Sequence, residues 1–325
     1  MLFLKQLTLT NFCNYDHHVF DFTREDGTPY PFVCFFGPNG AGKSTLLEAI
    51  SMLTQNTAGR SANFVQNSLQ KYVRHLDYNP TYQQVIDANK ETTEMVVEGI
   101  YEMDGQDFVV RLTQNGWERN DFAPVPPLSA DLIEAKTIRR SGPWKDDYLS
   151  HMQRISHFIR SDSDLSMNKF QLHESRQRDF EQIISKIMRF PAECIPPTGL
   201  STEELNYCTD FVIVKNSHRI HFKRMSAGER KICKSFSELL NLMRSLEHPG
   251  PGERPMPGWP PILLLDNCVM HVYYDRHVQM VDSLKDIFAQ QQIFATTHSG
   301  ILIQRYFDGE NDNTTELMID LATIN

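Results

Sequence analysis

Gly37-Pro38-Asn39-Gly40-Ala41-Gly42-Lys43-Ser44-Thr45 is the stretch whose reading decides the fold. It fits the phosphate-binding loop pattern G-x-x-x-x-G-K-[ST] in full. The apolar run Phe32-Val33-Cys34-Phe35-Phe36 before it reads as a buried strand. Leu46, Leu47, Ile50 and Leu53 after it recur at helical spacing. Strand, glycine loop and helix together favour an anion cradle over a bare glycine-rich turn. The glycines let the backbone approach an anion closely, and the freed N–H groups and the helix N-terminus face it. Lys43 would place its charge on β/γ-phosphate oxygens, and the Ser44 hydroxyl would serve Mg2+.

The 325 residues suffice for one large domain or two modest ones. Hydrophobic residues at 40% and charged residues at 22% are ordinary for a globular protein. No apolar run reaches bilayer-spanning length, so no membrane partner is expected. Met1-Leu2-Phe3-Leu4-Lys5 lacks the layout of a signal peptide. The six cysteines (Cys13, Cys34, Cys194, Cys208, Cys233, Cys268) form no C-x-x-C pair. Their scatter argues against a zinc site or a disulfide framework and fits a reducing cytoplasm. The net charge of −9 gives no support to nucleic-acid binding, though it leaves room for a local basic groove.

Outward from the loop, residues 2–22 alternate around Asn14-Tyr15-Asp16 and predict a hairpin. A second hairpin is predicted around Asp104-Gly105, and a third around Asn216-Ser217, with Phe211–Val214 and Arg219–Phe222 as its arms. Residues 129–190 read as mostly helical. Ile262-Leu263-Leu264-Leu265 and Ile293-Phe294-Ala295-Thr296-Thr297 are short apolar strands. Beside a phosphate loop they imply a buried parallel sheet with helices on its faces.

Three further stretches carry chemistry. In Met225-Ser226-Ala227-Gly228-Glu229-Arg230-Lys231, Ser226 and Glu229 form a capping box ahead of an apolar helical stripe. An ordinary capped helix is one reading. The other is a helix N-terminus that presents Ser226 and the Gly228 amide to a phosphate. Asp266 ends an aliphatic strand, where it can hold Mg2+ through its water shell or cap a helix. His298 ends another strand, on the side where α/β sheets bind ligands.

In this order, the motifs resemble ATP-binding-cassette (ABC) ATPase heads of the kind found in RecF, SMC and related DNA-repair or phage-defence proteins. Gly37–Thr45 matches Walker A, Ser226-Ala227-Gly228-Glu229 the signature motif, Leu263–Asp266 Walker B, and Thr296-Thr297-His298-Ser299 the switch histidine. The opening Leu7–Tyr15 is similar to the first strand of RecF-type heads. The resemblance covers residues 1–55 and 205–305, while 56–204 occupy the place where relatives carry a lobe or coiled-coil arms. It implies an α/β fold: an ABC-type P-loop head with an antiparallel N-terminal β-subdomain and a helical lobe. The chain would be a single head, with Walker A in residues 1–128, the lobe in 129–204, and the other motifs in 205–325.

The resemblance further implies a homodimer that closes over ATP and Mg2+. Gly37, Pro38, Asn39, Gly40, Ala41, Gly42, Lys43, Ser44 and Thr45 would hold the nucleotide from one side. Ser226, Gly228 and Glu229 of the second chain would close over it. Ser44 and Asp266 would serve the metal, and Asp266, Asn267 and His298 the hydrolysis. One position departs from the pattern: Asn267 stands where the family usually has the Walker B glutamate. An amide cannot take a proton from water as a carboxylate does. Slow hydrolysis, a replacement base and an alteration that traps ATP compete as explanations. His271 and Asp275 are the substitute candidates for the base, and Gln153 is a candidate for the family's Q-loop glutamine. Two functions follow: an ATPase of DNA maintenance or anti-phage defence, with DNA as a partner, or a weakly hydrolysing ATP-clamped scaffold that holds an effector such as a nuclease or toxin.

Overall fold

The first strand breaks its own alternation, and the break shapes the first sheet. Leu2 and Leu4 share one parity, whereas Leu7 and Leu9 share the other. In the computed structural model, strand β1 (Leu2–Phe12) carries a register shift between Leu4 and Gln6 where it pairs with β4 (Val96–Met103). A bulge of this kind returns side chains of opposite parity to one face. Leu4, Leu7 and Leu9 are all fully buried as a result. The structure describes residues 2–54, 95–113, 116–120, 169–195, 210–230, 233, 262–269, 273–289, 291–309 and 315–324.

The chain divides into two compact units. The first takes in Met1–Arg139, Gly258–Cys268 and Phe288–Asn325. Its antiparallel sheet has the order β2-β1-β4-β5-β6, with β2 at Tyr15–Asp21, β5 at Gln106–Thr113 and β6 at Gly116–Asn120. Both predicted hairpins of this region form. The first turn lies at Cys13-Asn14, so that Tyr15 already belongs to β2 rather than to the turn. Its second sheet is parallel, in the order β10-β11-β3-β12, with β3 at Phe32–Phe36, β10 at Ile262–Leu265, β11 at Gln292–Thr296 and β12 at Glu316–Asp320. Strands β3, β10 and β11 are buried at every position, as expected of a parallel sheet covered on both faces.

Helix α1 (Lys43–Thr54) packs against both sheets. Its Leu46, Leu47, Ile50 and Leu53 join Phe20, Phe22, Phe35 and Phe294 in one core. Gly99 lets α1 lie close to the antiparallel sheet, because a Cβ there would fall 2.9 Å from Leu53 Cδ1. Gln292 is a buried polar residue beneath the β1 bulge. Its Oε1 accepts from Leu4 N–H at 2.7 Å, and its Nε2 donates to the Leu4 and Tyr30 carbonyls, each at 3.0 Å.

The second unit takes in Arg140–Pro257 and Val269–Ile287. Helix α2 (Lys169–Met188) buries Phe180, Ile184, Ile187 and Met188. A three-stranded antiparallel sheet follows, in the order β7-β8-β9, with β7 at Ala192–Ile195, β8 at Asp210–Lys215 and β9 at His218–His221. Phe222 leaves the predicted strand for a 3-10 turn, Phe222–Arg224, where its ring packs 5.9 Å from that of Phe211. Of the lobe expected at 129–204, the described part is a helix and then a strand rather than helix alone. Pro191 and Pro196 bound Ala192–Ile195, and pairing with β8 supplies the strand with its hydrogen bonds. Helix α3 (His277–Ile287) completes this unit and joins α2 through a Lys186–Asp286 ion pair.

Candidate functional site

The glycine loop between β3 and α1 is shaped by left-handed backbone that few other residues tolerate. Gly37, Gly40 and Gly42 have φ of 140°, 85° and 88°. At Gly42 space adds to conformation: a Cβ would lie 2.5 Å from Tyr15 Oη and 2.9 Å from Asn14 Nδ2. The first hairpin therefore backs the loop, and the buried Tyr15 hydroxyl donates to the Ala41 carbonyl at 3.3 Å. Pro38, Asn39 and Gly40 are exposed at the rim, Ala41 is buried and Thr45 is half-buried. Lys43, buried at 7% exposure, donates to the carbonyls of Gly37 at 2.9 Å and Pro38 at 2.7 Å. Burial lowers its pKa, and the Asp266 carboxylate pulls the other way.

The parallel sheet brings β10 and β11 to the same end as the loop. The Ser44 hydroxyl lies 3.1 and 3.0 Å from the two Asp266 carboxylate oxygens, although 222 positions separate them in sequence. Thr296 holds this carboxylate from beside: its buried hydroxyl donates to Asp266 Oδ1 at 2.7 Å and accepts from Asn267 N–H at 2.7 Å. The Cys268 N–H donates to the Thr296 carbonyl at 3.0 Å, which continues the anchorage of the turn. Asn267 sits at φ 56°, a left-handed conformation that asparagine adopts with little penalty. His298 is exposed just beyond β11. Burial lowers its imidazole pKa first, the Lys43 charge lowers it further, and Asp266 raises it. Ser299 then caps helix α4 (Gly300–Phe307) by accepting from Leu302 N–H.

These residues fit a nucleotide with Mg2+. The Gly42 cradle admits no side chain, Lys43 is a cation on the loop, and the paired Ser44 and Asp266 oxygens have the hard-donor chemistry Mg2+ prefers.

Ser226, Gly228 and Glu229 lie in the second unit. The capping box is formed in full: Ser226 N–H donates to Glu229 Oε2 at 2.9 Å, and Glu229 N–H donates to Ser226 Oγ at 3.3 Å. The Ser226 hydroxyl also donates to Glu229 Oε2 at 2.9 Å, and Lys215 pairs with the other carboxylate oxygen. Burial pushes the Glu229 carboxyl up, but its bonds to Lys215 and Ser226 hold it below the ordinary range. Asp275 is exposed in the 3-10 turn Tyr274–Arg276 of the second unit, whereas His271 and Gln153 lie outside the described residues. Sequence reasoning missed Tyr15, Thr296 and Lys215 as supports. Tyr15 and Thr296 lay within quoted motifs and Lys215 beside a predicted hairpin turn, signals that name no partner.

Comparison with known proteins gives the family and the fold. The AAA domain family matches residues 6–193, which takes in much of the 56–204 region where no motif was legible. The Septu protein PtuA of Bacillus thuringiensis is 22% identical over 284 residues, covering 82% of this chain. The chain spans just under two thirds, 66%, of that relative's length. Among solved structures, an SMC head bound to the C-terminal winged-helix domain of ScpA aligns over 93% of this chain and 91% of its own, with a TM-score of 0.52 and 16% identity. A Pyrococcus furiosus SMC head with an extended coiled coil, bound to the C-terminal domain of ScpA, covers 94% and 92% with a TM-score of 0.50 and 13% identity. The shared fold is that of an ABC-class ATPase head.

Proposed function

Because the chain belongs to the AAA domain family and folds as an SMC-type ATPase head, we propose that it binds Mg2+ and ATP, hydrolyses ATP slowly, and acts in anti-phage defence through an ATP-closed homodimer. The observation that supports this reading is the Ser44–Asp266 contact beside Lys43, which brings oxygen donors and a cation together from two distant stretches. In it, Lys43 leaves the Gly37 and Pro38 carbonyls for phosphate oxygens, and the loop N–H groups orient the phosphates. Ser44 and Asp266 hold the metal, whose charge offsets that of the phosphates. Thr296 keeps Asp266 aimed, and Asn267 positions water without taking its proton. Ser226 and Gly228 come from the second chain, so that nucleotide binding and association reinforce each other.

A second reading rests on Asn267 itself: a clamp that holds an effector protein, such as a nuclease or toxin, and turns over very little. The Septu relative favours a defence setting for either reading. Steady-state turnover, measured with and without DNA on the wild type and on Asn267→Glu, tests them together. A missing base costs on the order of 10²–10⁴ in rate. The wild type should therefore run far below about 10 s⁻¹, and Asn267→Glu should raise kcat at least about tenfold. The same substitution should lower the melting temperature, since a glutamate at this left-handed position costs roughly 1–2 kcal/mol. DNA-stimulated wild-type turnover near the typical enzyme median would overturn slow hydrolysis and point to DNA maintenance. An ATP-stable dimer with negligible turnover and no DNA affinity would favour the clamp.

A further inference from the structure

Behind the Ser226 turn runs a chain of contacts that the nucleotide site does not use. Two donors on Ser226, its backbone N–H and its hydroxyl, both point to Glu229 Oε2 at 2.9 Å. The proposed contact with a second chain's phosphate needs that hydroxyl. When the hydroxyl turns away, Glu229 stays behind as a carboxylate next to an incoming anion, and like charges this close repel. Lys215, at the end of β8, is paired with Glu229 Oε1. Its ammonium also lies 4.7 Å from the centroid of the Phe190 ring. The Arg276 guanidinium shares that ring at 5.5 Å and donates to the Met188 carbonyl at 2.8 Å. Lys215 is thus held in place by an aromatic face that is itself anchored to the end of α2.

We propose that Lys215 is a positioning residue for the dimeric reaction: it keeps Glu229 paired while Ser226 exchanges its carboxylate partner for the phosphate of ATP bound to the other chain. This rests on the closed-dimer reading above. Glu229 then has two functions, with Oε2 forming the capping box and Oε1 answering to Lys215. Removal of the lysine leaves the cap in place and adds an uncompensated charge at the mouth of the interface. The pair is only partly buried, with side-chain exposures of 25% for Lys215 and 15% for Glu229, so its loss acts between the extremes of exposed and buried ion pairs.

The test is sedimentation of the full chain in ATP and Mg2+, with circular dichroism to verify folding of each variant. The wild type should dimerise. Lys215→Met should weaken the ATP-driven dimer about tenfold, and Lys215→Arg, which keeps the charge, should restore it. The double variant Lys215→Met with Glu229→Gln should also recover dimerisation, because glutamine still completes the capping box and carries no charge. That recovery separates a charge effect from lost packing. Should Lys215→Met dimerise like the wild type, or the double variant do no better than Lys215→Met, the role of Lys215 is overturned while the dimer stands. A wild type that binds ATP and stays monomeric overturns the closed dimer and this proposal with it.

Discussion

Thr296 uses one hydroxyl in both directions, donating to Asp266 and accepting from the N–H of Asn267. A side chain of the wrong shape at either neighbour would lose that geometry, and Asn267 suits its left-handed backbone better than a glutamate would. His298 reports on the same cluster. Its imidazole lies below the ordinary value of 6.5 because of burial and then Lys43, with Asp266 opposing. The two charges therefore predict shifts of opposite sign. In an NMR titration, Lys43→Met should raise the His298 pKa, and Asp266→Asn should lower it further. An unchanged His298 in both variants would separate it from the site. At this scale the sequence showed what was local. The Ser226–Glu229 capping box was legible because its partners lie three positions apart, and the structure forms it. Lys215 pairs with Glu229 across 14 positions and Thr296 with Asp266 across 30, distances at which no periodicity operates.

At the scale of elements, β3, β10 and β11 were legible because a strand buried on both faces reads as a continuous apolar run. Strands β6 and β7 were not. Gly116-Trp117-Glu118-Arg119-Asn120 has no apolar run, and Ala192–Ile195 is confined between prolines; both owe their extended form to a neighbouring strand. The β1 bulge went unread, because simple alternation over residues 2–22 passes over the parity change between Leu4 and Leu7, and its partner Gln292 is 288 positions away. Gln292 answers three backbone groups there, the Leu4 N–H and the Leu4 and Tyr30 carbonyls. Gln292→Leu keeps the apolar bulk and strands those groups away from water, at roughly 1–3 kcal/mol for each one left unsatisfied. Urea unfolding should show a loss of at least roughly 3 kcal/mol with the slope retained. A loss under about 0.5 kcal/mol would mean that the bulge finds other partners.

For the whole molecule, the candidate residues fall in both units: the loop, Asp266 and His298 in one, Ser226 and Glu229 in the other. The AAA domain match takes in the loop of the first unit. Among the described residues no helix is long and apolar enough to cross a membrane. The slow hydrolysis and the closed dimer proposed above both require that this loop hold Mg2+ and ATP. A ligand that binds only the folded state stabilises it by about 2.7 kcal/mol at one hundred times its Kd. Thermal melting with and without ATP and Mg2+, on the wild type and on Lys43→Ala, measures this directly. The wild type should rise by several degrees and Lys43→Ala by none. No rise in the wild type, or an equal rise in Lys43→Ala, would contradict it.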